Sequence, residues 1–170
     1  GLMVAKNISH DLARAGITIV SGLAFGVDSA AHEGAIAGGG RTVAVLANGV
    51  KNIYPRSHYQ MAQKILSQNG AVLSEYLEER PYYDAQFLER NRIISGLSVA
   101  VVVIEAPIKS GSLSTARHAL DQGREVFVVP GRAGHQNYEG SHMLLRNGAR
   151  IVNSAKDVLE DLAGALEPYN

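Results

Sequence analysis

The sequence predicts an α/β protein with a mostly parallel, doubly wound sheet that carries helices on both of its faces. Short apolar runs alternate along the chain with helical patterns, as in proteins built from successive strand–helix units. The runs are apolar at consecutive positions, which is typical of strands that are buried on both faces of a parallel sheet. Glycines stand where the helical patterns end, as expected for helix C-termini.

The residues support each element in turn. Apolar residues from Leu2 to Leu12 recur at helical spacing, and a glycine ends this first helix before the first strand. Asp28 stands at the start of the second helix, where a carboxylate is favourable. Val99 to Ile104 predicts a fully buried strand, and Ser154 precedes the last helix as its N-cap.

The order of the elements begins with a helix. The predicted strands are Ile17–Val20, Thr42–Leu46, Ala71–Leu73, Val99–Ile104, Glu125–Val129 and Arg150–Val152. The predicted helices are Leu2–Ala15, Asp28–Ala37, Ser57–Gln68, Asn91–Leu97, Leu113–Asp121, Ser141–Asn147 and Ser154–Leu166. Because a doubly wound domain normally begins with a strand, we expect one strand to have been cut off or to be supplied in another way.

Length and composition limit the classes of function. The 170 residues suit one domain, residues 1–170, and the chain is 46% hydrophobic and 19% charged. The absence of cysteine excludes disulfides, thiolate metal sites and cysteine nucleophiles. Neither a membrane span nor a targeting signal is apparent, so we expect a cytoplasmic protein. With 16 basic and 16 acidic residues, binding to nucleic acid would need a local basic patch.

The segment Lys109 to Ala116 is the most informative stretch of the chain. Lys109, Ser110, Gly111 and Ser112 follow the buried strand and open a helix. The first N–H groups of a helix have no helical acceptor, and the helix dipole favours an anion there, so these residues predict a phosphate site. The Gly-Lys-Ser/Thr spacing of an ATP-binding loop is absent.

A second candidate for a phosphate loop lies upstream, in Ser21, Gly22, Phe25 and Gly26 before Asp28. Its glycines allow a tight turn and a close approach of the backbone, although they could equally only shape a strand-to-helix turn. A dinucleotide role is disfavoured because the Gly-x-Gly-x-x-Gly pattern is absent. Two such loops on parallel strands would share the carboxyl edge of one sheet, where open α/β sheets bind ligands.

The triplet Arg90-Asn91-Arg92 provides a third candidate. Arg90 and Arg92 could bind phosphate in bidentate fashion, and Asn91 could cap a helix or position a loop. The alternative is that these are surface arginines that only pair with Glu89 or Asp84. None of the histidines has metal-ligand spacing, so no metal site and no catalytic residue is predicted.

The motifs occur in a characteristic order. They are Ser21-Gly22-Leu23-Ala24-Phe25-Gly26-Val27-Asp28 with Ala30-Ala31-His32, Tyr54-Pro55-Arg56, Leu73-Ser74-Glu75, Phe87 through Ser98, Lys109 through Ala116, Val128-Val129-Pro130-Gly131, and Gly140…Leu144-Leu145…Gly148-Ala149. Together they resemble the DNA processing protein A family, also called DprA or Smf, over nearly the whole chain.

The resemblance implies an extended Rossmann-like core domain that binds single-stranded DNA and forms a homodimer. It also implies delivery of the strand to the RecA recombinase in natural transformation, with no established catalytic activity and no cofactor. The implied DNA groove is the carboxyl edge of the sheet, with backbone cradles at Ser21–Gly26 and Lys109–Ser112 and with Arg90 and Arg92 close by.

Two departures from the family pattern stand out. The family has a leading strand with a Gly-Ser/Thr-Arg motif whose arginine contacts phosphate, and this chain starts after that motif. We therefore expect an N-terminally truncated core domain, without the helical N-terminal and winged-helix C-terminal domains of many members. Where members often have Arg or Lys, this chain has Phe25, which loses a charge but could stack on a base, worth ~1–3 kcal/mol.

Two alternatives belong to other classes of function. A nucleotide phosphoribohydrolase of the lysine-decarboxylase-like group carries Pro-Gly-Gly-x-Gly-Thr-x-x-Glu at the equivalent loop. Aligning its threonine on Thr115 puts His118 in place of the required glutamate, so the catalytic carboxylate is missing. A dimerisation module is the other alternative, with Met143, Leu144 and Leu145 as candidates for an isologous interface, although such spacing is also typical of core residues.

Overall fold

The computed structural model describes residues 1–77 and 83–166 and shows strands alternating with helices. The helices are α1 Leu2–Arg14, α2 Val27–Ala37, α3 Tyr59–Ser67, α4 Asp84–Gly96, α5 Gly111–Asp121, α6 Glu139–Arg146 and α7 Ala155–Leu166. The strands are β1 Ile19–Ser21, β2 Thr42–Val45, β3 Ala71–Leu73, β4 Ala100–Val103, β5 Glu125–Val128 and β6 Arg150–Ile151. Short 3-10 turns at Arg56–His58 and Gln136–Tyr138 precede α3 and α6.

The strands form two parallel sheets, in the orders β1-β2-β3 and β4-β5-β6. In the first sheet Val43 of β2 lies beside Val20 on one side and Ala71 on the other. In the second, Phe127 of β5 lies beside Val102 and Arg150. The expected α/β class with parallel strands and helices on both faces is confirmed, but the expected single sheet is divided into two.

A cleft of about 810 Å³ separates the two sheets. Strand β1 lines one side and β4 the other, while α1, α7 and α4 also contribute residues to the lining. Among the residues that the structure describes, no strand pairs with the edges of β1 and β4 that border this cleft. The cleft therefore divides the parallel strands into two groups, with β1 and β4 on either side of it.

The core consists of apolar clusters on both faces of the second sheet and one cluster beneath the first. Phe127 of β5 packs with Ile8 of α1 and Leu162 of α7, and this cluster also includes residues of β1. Val126 and Val128 point to the opposite face and pack against α5 and α6, as the two-residue alternation of a strand requires. In the first sheet, β2 packs against α3 through Leu46 and Ile65.

Helices α1 and α2 approach each other unusually closely. A Cβ added to Gly34 of α2 would lie 2.2 Å from the carbonyl oxygen of Lys6 in α1. One at Gly38 would lie 2.5 Å from the carbonyl oxygen of His10. Only glycine fits at both places, so the Gly-x-x-x-Gly spacing fixes how α2 sits on α1 and aims the N-terminus of α2 at the β1 loop.

Element boundaries differ from the predicted ones in informative ways. Strand β1 starts two residues late because the Ile17 N–H donates to the carbonyl oxygen of Leu12, which continues the turn after α1. Helix α4 begins at Asp84 rather than Asn91, with the Gln86 side chain accepting the N–H of Tyr83 at 2.7 Å.

Ser154 caps the N-terminus of α7, as predicted, since its hydroxyl accepts the N–H of Asp157 and the Asp157 carboxylate accepts the Ser154 N–H. These reciprocal bonds hold the pKa of Asp157 below its usual value, chiefly through the N–H of Asn153.

Over residues 1–77 and 83–166, none of the helices is long and apolar enough to cross a membrane.

Candidate functional site

The first candidate loop, between β1 and α2, folds around the carboxylate of Asp28. Ser21 Oγ donates to Asp28 Oδ1 at 2.8 Å, and the N–H groups of Gly22 and Ala24 donate to Oδ2 at 3.2 and 3.1 Å. The loop is thus an anion cradle, as predicted, but its anion is supplied by the protein itself. Ser21 and Gly22 were expected to donate to a phosphate, and in the structure they donate to Asp28.

The same carboxylate fixes an uncommon backbone conformation in the loop. Leu23 has a φ of 60°, although it is not a glycine, and its side chain is fully buried. Gly26 has a φ of 84° and precedes the first turn of α2. Between them Phe25 points outward with 69% of its surface exposed. The loop thus buries Leu23 and displays Phe25.

Arg90 does not lie on the surface. Only 4% of its surface is exposed, and its Nη1 donates to the carbonyl oxygens of Gly22, at 2.9 Å, and Val45. A Cβ added to Gly22 would lie 2.5 Å from Arg90 Nη2. Burial lowers the pKa of Arg90, while the charge of Asp28 acts in the opposite direction. Arg90 therefore ties α4 to the carboxyl ends of β1 and β2, in place of the expected bidentate contact to phosphate.

Asn91 connects α4 to the second candidate loop. Its Nδ2 donates to the carbonyl oxygen of Gly111 at 3.1 Å, and the residue is buried. Arg90 and Asn91 are adjacent in the helix, so one turn of α4 holds both loops at a fixed separation. The expectation that Asn91 positions a loop agrees with this contact, although Asn91 lies within α4 and does not cap it.

The second loop has a partly open anion site. Ser110 is the N-cap of α5 and accepts the N–H of Ser112 at 3.2 Å, and the two hydroxyls are 2.6 Å apart. Gly111, the first residue of the helix, is exposed. Lys109 is also exposed, and among the described residues it forms no ion pair. Lys109 thus precedes the positive end of a helix dipole by two residues.

Arg92 has a different environment from its neighbours. It is exposed, and its Nη2 lies 2.5 and 2.6 Å from the two carboxylate oxygens of Glu75. Arg92 thus fits the alternative in which a surface arginine only pairs with an acidic residue. Its partner is Glu75, which was not among the predicted partners. As an exposed pair it contributes only ~0–1 kcal/mol to stability.

Both loops open on the carboxyl end of the cleft, which Phe25, Ser110, Gly111 and Ser112 line together. They therefore meet at one edge, as predicted, although β1 and β4 belong to different sheets. Four exposed cations lie on the loops that follow the strands. They are Lys51 and Arg56 after β2, Lys109 after β4 and Arg132 after β5. A chain of zero net charge thus has exposed positive charge on several of the loops that follow the carboxyl ends of its strands.

A buried histidine stands behind the first loop. His32 is fully buried on α2, with Nδ1 2.7 Å from Thr42 Oγ1. The Thr42 hydroxyl donates its hydrogen to the carbonyl oxygen of Ile19, so the hydrogen between ring and hydroxyl belongs to Nδ1. Nε2 is then an unprotonated acceptor, buried without a partner among the described residues. Burial lowers the pKa of His32 to about 4, against the opposing charge of Asp28.

The part of the chain that the structure describes has neither a cluster of metal ligands nor, on α5, the carboxylate of a phosphoribohydrolase. No group of three or more histidine or acidic side chains there could hold a metal ion. Thr115 lines the cleft, but the residue three positions further along α5 is His118, so the carboxylate of a phosphoribohydrolase has no counterpart at that position. Leu144, a candidate for a dimer interface, is instead buried in the core against α5.

The sequence predictions missed two parts of the site. The first is the Asp28 carboxylate, which accepts the hydrogen bonds of the first loop. The signal for it was an acidic residue at the second position of a helix that follows a Ser-Gly turn. The predictions singled out Tyr54-Pro55-Arg56 but missed His58 just after it, whose Nδ1 lies 2.8 Å from the carbonyl oxygen of Leu23 and whose ring contacts Phe25.

These features define a Rossmann-like α/β domain with two candidate binding loops at the carboxyl ends of its parallel strands. The family described as DNA recombination-mediator protein A matches residues 1–163, and the chain belongs to this family.

Individual relatives agree with this assignment. The chain is 49% identical over 151 residues to Protein Smf of Escherichia coli, a match that covers 89% of this chain and 40% of that protein. Its structure superimposes with a TM-score of 0.85 on DNA processing protein A from Streptococcus pneumoniae, at 37% identity, over 94% of this chain and 56% of the other.

DNA processing protein A from Helicobacter pylori, described with its single-stranded DNA binding mode, also superimposes with a TM-score of 0.85, at 33% identity. This match covers 96% of this chain and 74% of the other. The chain thus spans about half the length or less of the first two relatives.

Proposed function

We propose that this domain binds single-stranded DNA without sequence preference and serves DNA uptake and recombination in natural transformation. The observation that carries the proposal is the exposed Lys109, which forms no ion pair among the described residues and precedes the N-terminus of α5, whose first residues line a cleft together with Phe25. Cations and helix N-termini bind phosphate, and exposed rings stack on unpaired bases. The single-stranded DNA binding of the Helicobacter pylori relative supports the same assignment.

The contacts divide the candidate residues by role. Lys109, Gly111 and Ser112 are assigned to phosphate, together with the N-terminal turn of α2 after Gly26. Ser21, Gly22, Arg90 and Asn91 position the loops through the hydrogen bonds described above. Arg92 is assigned to phosphate only when Glu75 releases it.

The finer parts of the proposal concern partners. By family membership, the domain would deliver the bound strand to the RecA recombinase and act as a homodimer, without catalysing a reaction of its own. A phosphoribohydrolase activity gains no support from α5, where His118 replaces the required carboxylate. Addition of the protein should shorten the delay before RecA hydrolyses ATP on single-stranded DNA, and an unchanged delay would reject this part of the proposal.

Binding is tested by fluorescence anisotropy with a labelled oligo-dT at several salt concentrations. We expect affinity to fall with salt, with a log–log slope of ~0.7 per phosphate neutralised, and a duplex of equal length to bind more weakly. No binding at low salt, or equal affinity for duplex, would overturn the proposal.

A further inference from the structure

Four aromatic rings form two edge-to-face pairs, each of which contributes one ring to the lining of the cleft. Phe25 and His58 meet edge to face, with ring centroids 4.8 Å apart and planes at 67°. Tyr54 and Phe87 form a second such pair, at 5.8 Å and 60°. Phe25 and Phe87 both line the cleft, which brings the two pairs to the same edge of the domain.

The outermost ring of this group is held in a fixed position. Phe25 is 69% exposed, yet its backbone lies between the residues that the Asp28 carboxylate and Gly26 hold in place. His58 supports the ring from one side and is itself tied to the loop by its Nδ1, 2.8 Å from the carbonyl oxygen of Leu23. An edge-to-face contact leaves a face of the Phe25 ring accessible, so a planar group can stack there without rearrangement of the loop.

Positive charge flanks the rings. Arg56 lies two residues before His58, is exposed, and forms no ion pair in the described ranges. Lys109 lies beside the residues of α5 that share the cleft mouth with Phe25. Exposed rings near exposed cations are complementary to a single strand, whose bases have two apolar faces and whose backbone is anionic.

We propose that Phe25 and His58 form a stacking platform for an unpaired nucleobase, and that Arg56 binds the adjacent phosphate. The platform extends the DNA track from the Lys109 loop across the mouth of the cleft to the segment before α3. This inference rests on the proposed function, of which it names a subsite.

The test uses the absence of tryptophan from the chain. Phe25→Trp introduces a single tryptophan at the platform, whose emission an oligo-dT should quench on binding, while an abasic oligonucleotide of equal length should leave it unchanged. Phe25→Ala should weaken oligo-dT binding about 5- to 100-fold with an unchanged salt slope, as expected for a lost stack. The matched control Leu120→Ala, at another exposed apolar residue, should bind normally.

The Arg56 contact has a separate signature. Arg56→Ala should reduce the salt slope by ~0.7, the amount expected for one phosphate on a single strand. If the unaltered protein binds oligo-dT but the Phe25→Trp emission is not quenched and Phe25→Ala binds equally well, the platform is rejected and the proposed function stands. If the unaltered protein itself does not bind, both are rejected.

Discussion

Arg90 Nη1 donates to the carbonyl oxygen of Gly22 across 2.9 Å, joining residues that are 68 positions apart in the sequence. The same nitrogen donates to the carbonyl oxygen of Val45, so one guanidinium connects the carboxyl ends of β1 and β2 to α4. Next to it, Asn91 holds the start of α5. The spacing between the two candidate DNA-binding loops thus depends on two adjacent side chains of one helix.

Arg90→Lys tests this structural role. A lysine cannot reproduce the fork of the guanidinium, so at least one buried carbonyl loses its donor, which should cost ~1–3 kcal/mol in the free energy of unfolding. Urea unfolding measures the loss. Affinity for oligo-dT should fall while the salt slope stays constant, because no phosphate contact is removed. A smaller salt slope would instead show that Arg90 binds DNA directly.

Arg92→Ala is the matched control, two residues further along the same helix. Its partner Glu75 is exposed, so removal of the pair should change the free energy of unfolding by less than ~1 kcal/mol. A loss as large as that of Arg90→Lys would contradict the distinction drawn between the two arginines.

Lys109→Ala should have the opposite profile. Lys109 is exposed and makes no ion pair among the described residues, so the urea midpoint should not change. The salt slope for oligo-dT should fall by ~0.7, and affinity should drop equally for oligonucleotides of different sequence. Lys64→Ala, at an exposed lysine on α3, serves as the control. An unchanged slope for Lys109→Ala would remove this residue from the DNA track.

Asp28→Asn tests whether the internal anion shapes the first loop. The amide turns one of the acceptor oxygens into a donor that faces other donors, so the loop loses charge-assisted hydrogen bonds worth ~1.5–3 kcal/mol each. We expect a lower free energy of unfolding and weaker oligo-dT binding, because Phe25 is no longer held in place. Amide chemical shifts of Gly22 to Gly26 would report the change, and unperturbed shifts would show that the loop is fixed by other contacts.

His32 makes the stability depend on pH. Its folded-state pKa is about 4, below the usual 6.5, so the unfolded chain takes up a proton that the folded chain excludes. This contribution is fully present above pH 6.5 and is lost as the pH falls toward 4, at ~1.4 kcal/mol per pH unit. His32→Asn keeps a donor for Thr42 and removes the titration, so its unfolding free energy should vary less over this window. Equal slopes would contradict the assignment.

Local sequence signals were sufficient for most of the fold. Helix α5 and strand β3 follow from glycine and apolar patterns that act within the element itself, and β3 was predicted with its observed bounds. The start of α4 was not predictable in this way. Its buried positions include Arg90 and Asn91, so the helix lacks the apolar stripe by which an amphipathic helix is detected.

The site was predictable to a similar extent. The loops at Ser21 and Lys109 follow from glycine and serine after a strand, and the structure brings both to one cleft mouth. The roles of the side chains depend on contacts over long sequence separations, such as Arg90 with Gly22 and His58 with Leu23. No pattern within a short window contains that information.

The division of the sheet has a consequence for the behaviour of the protein in concentrated solution. Unpaired strand edges are sites where molecules aggregate by adding strands to one another. Among the described residues, the unpaired edges of β1 and β4 border the cleft inside the domain. The outward edges, β3 and β6, are only three and two residues long and offer few hydrogen bonds. The outward edges thus give neighbouring molecules little to attach to.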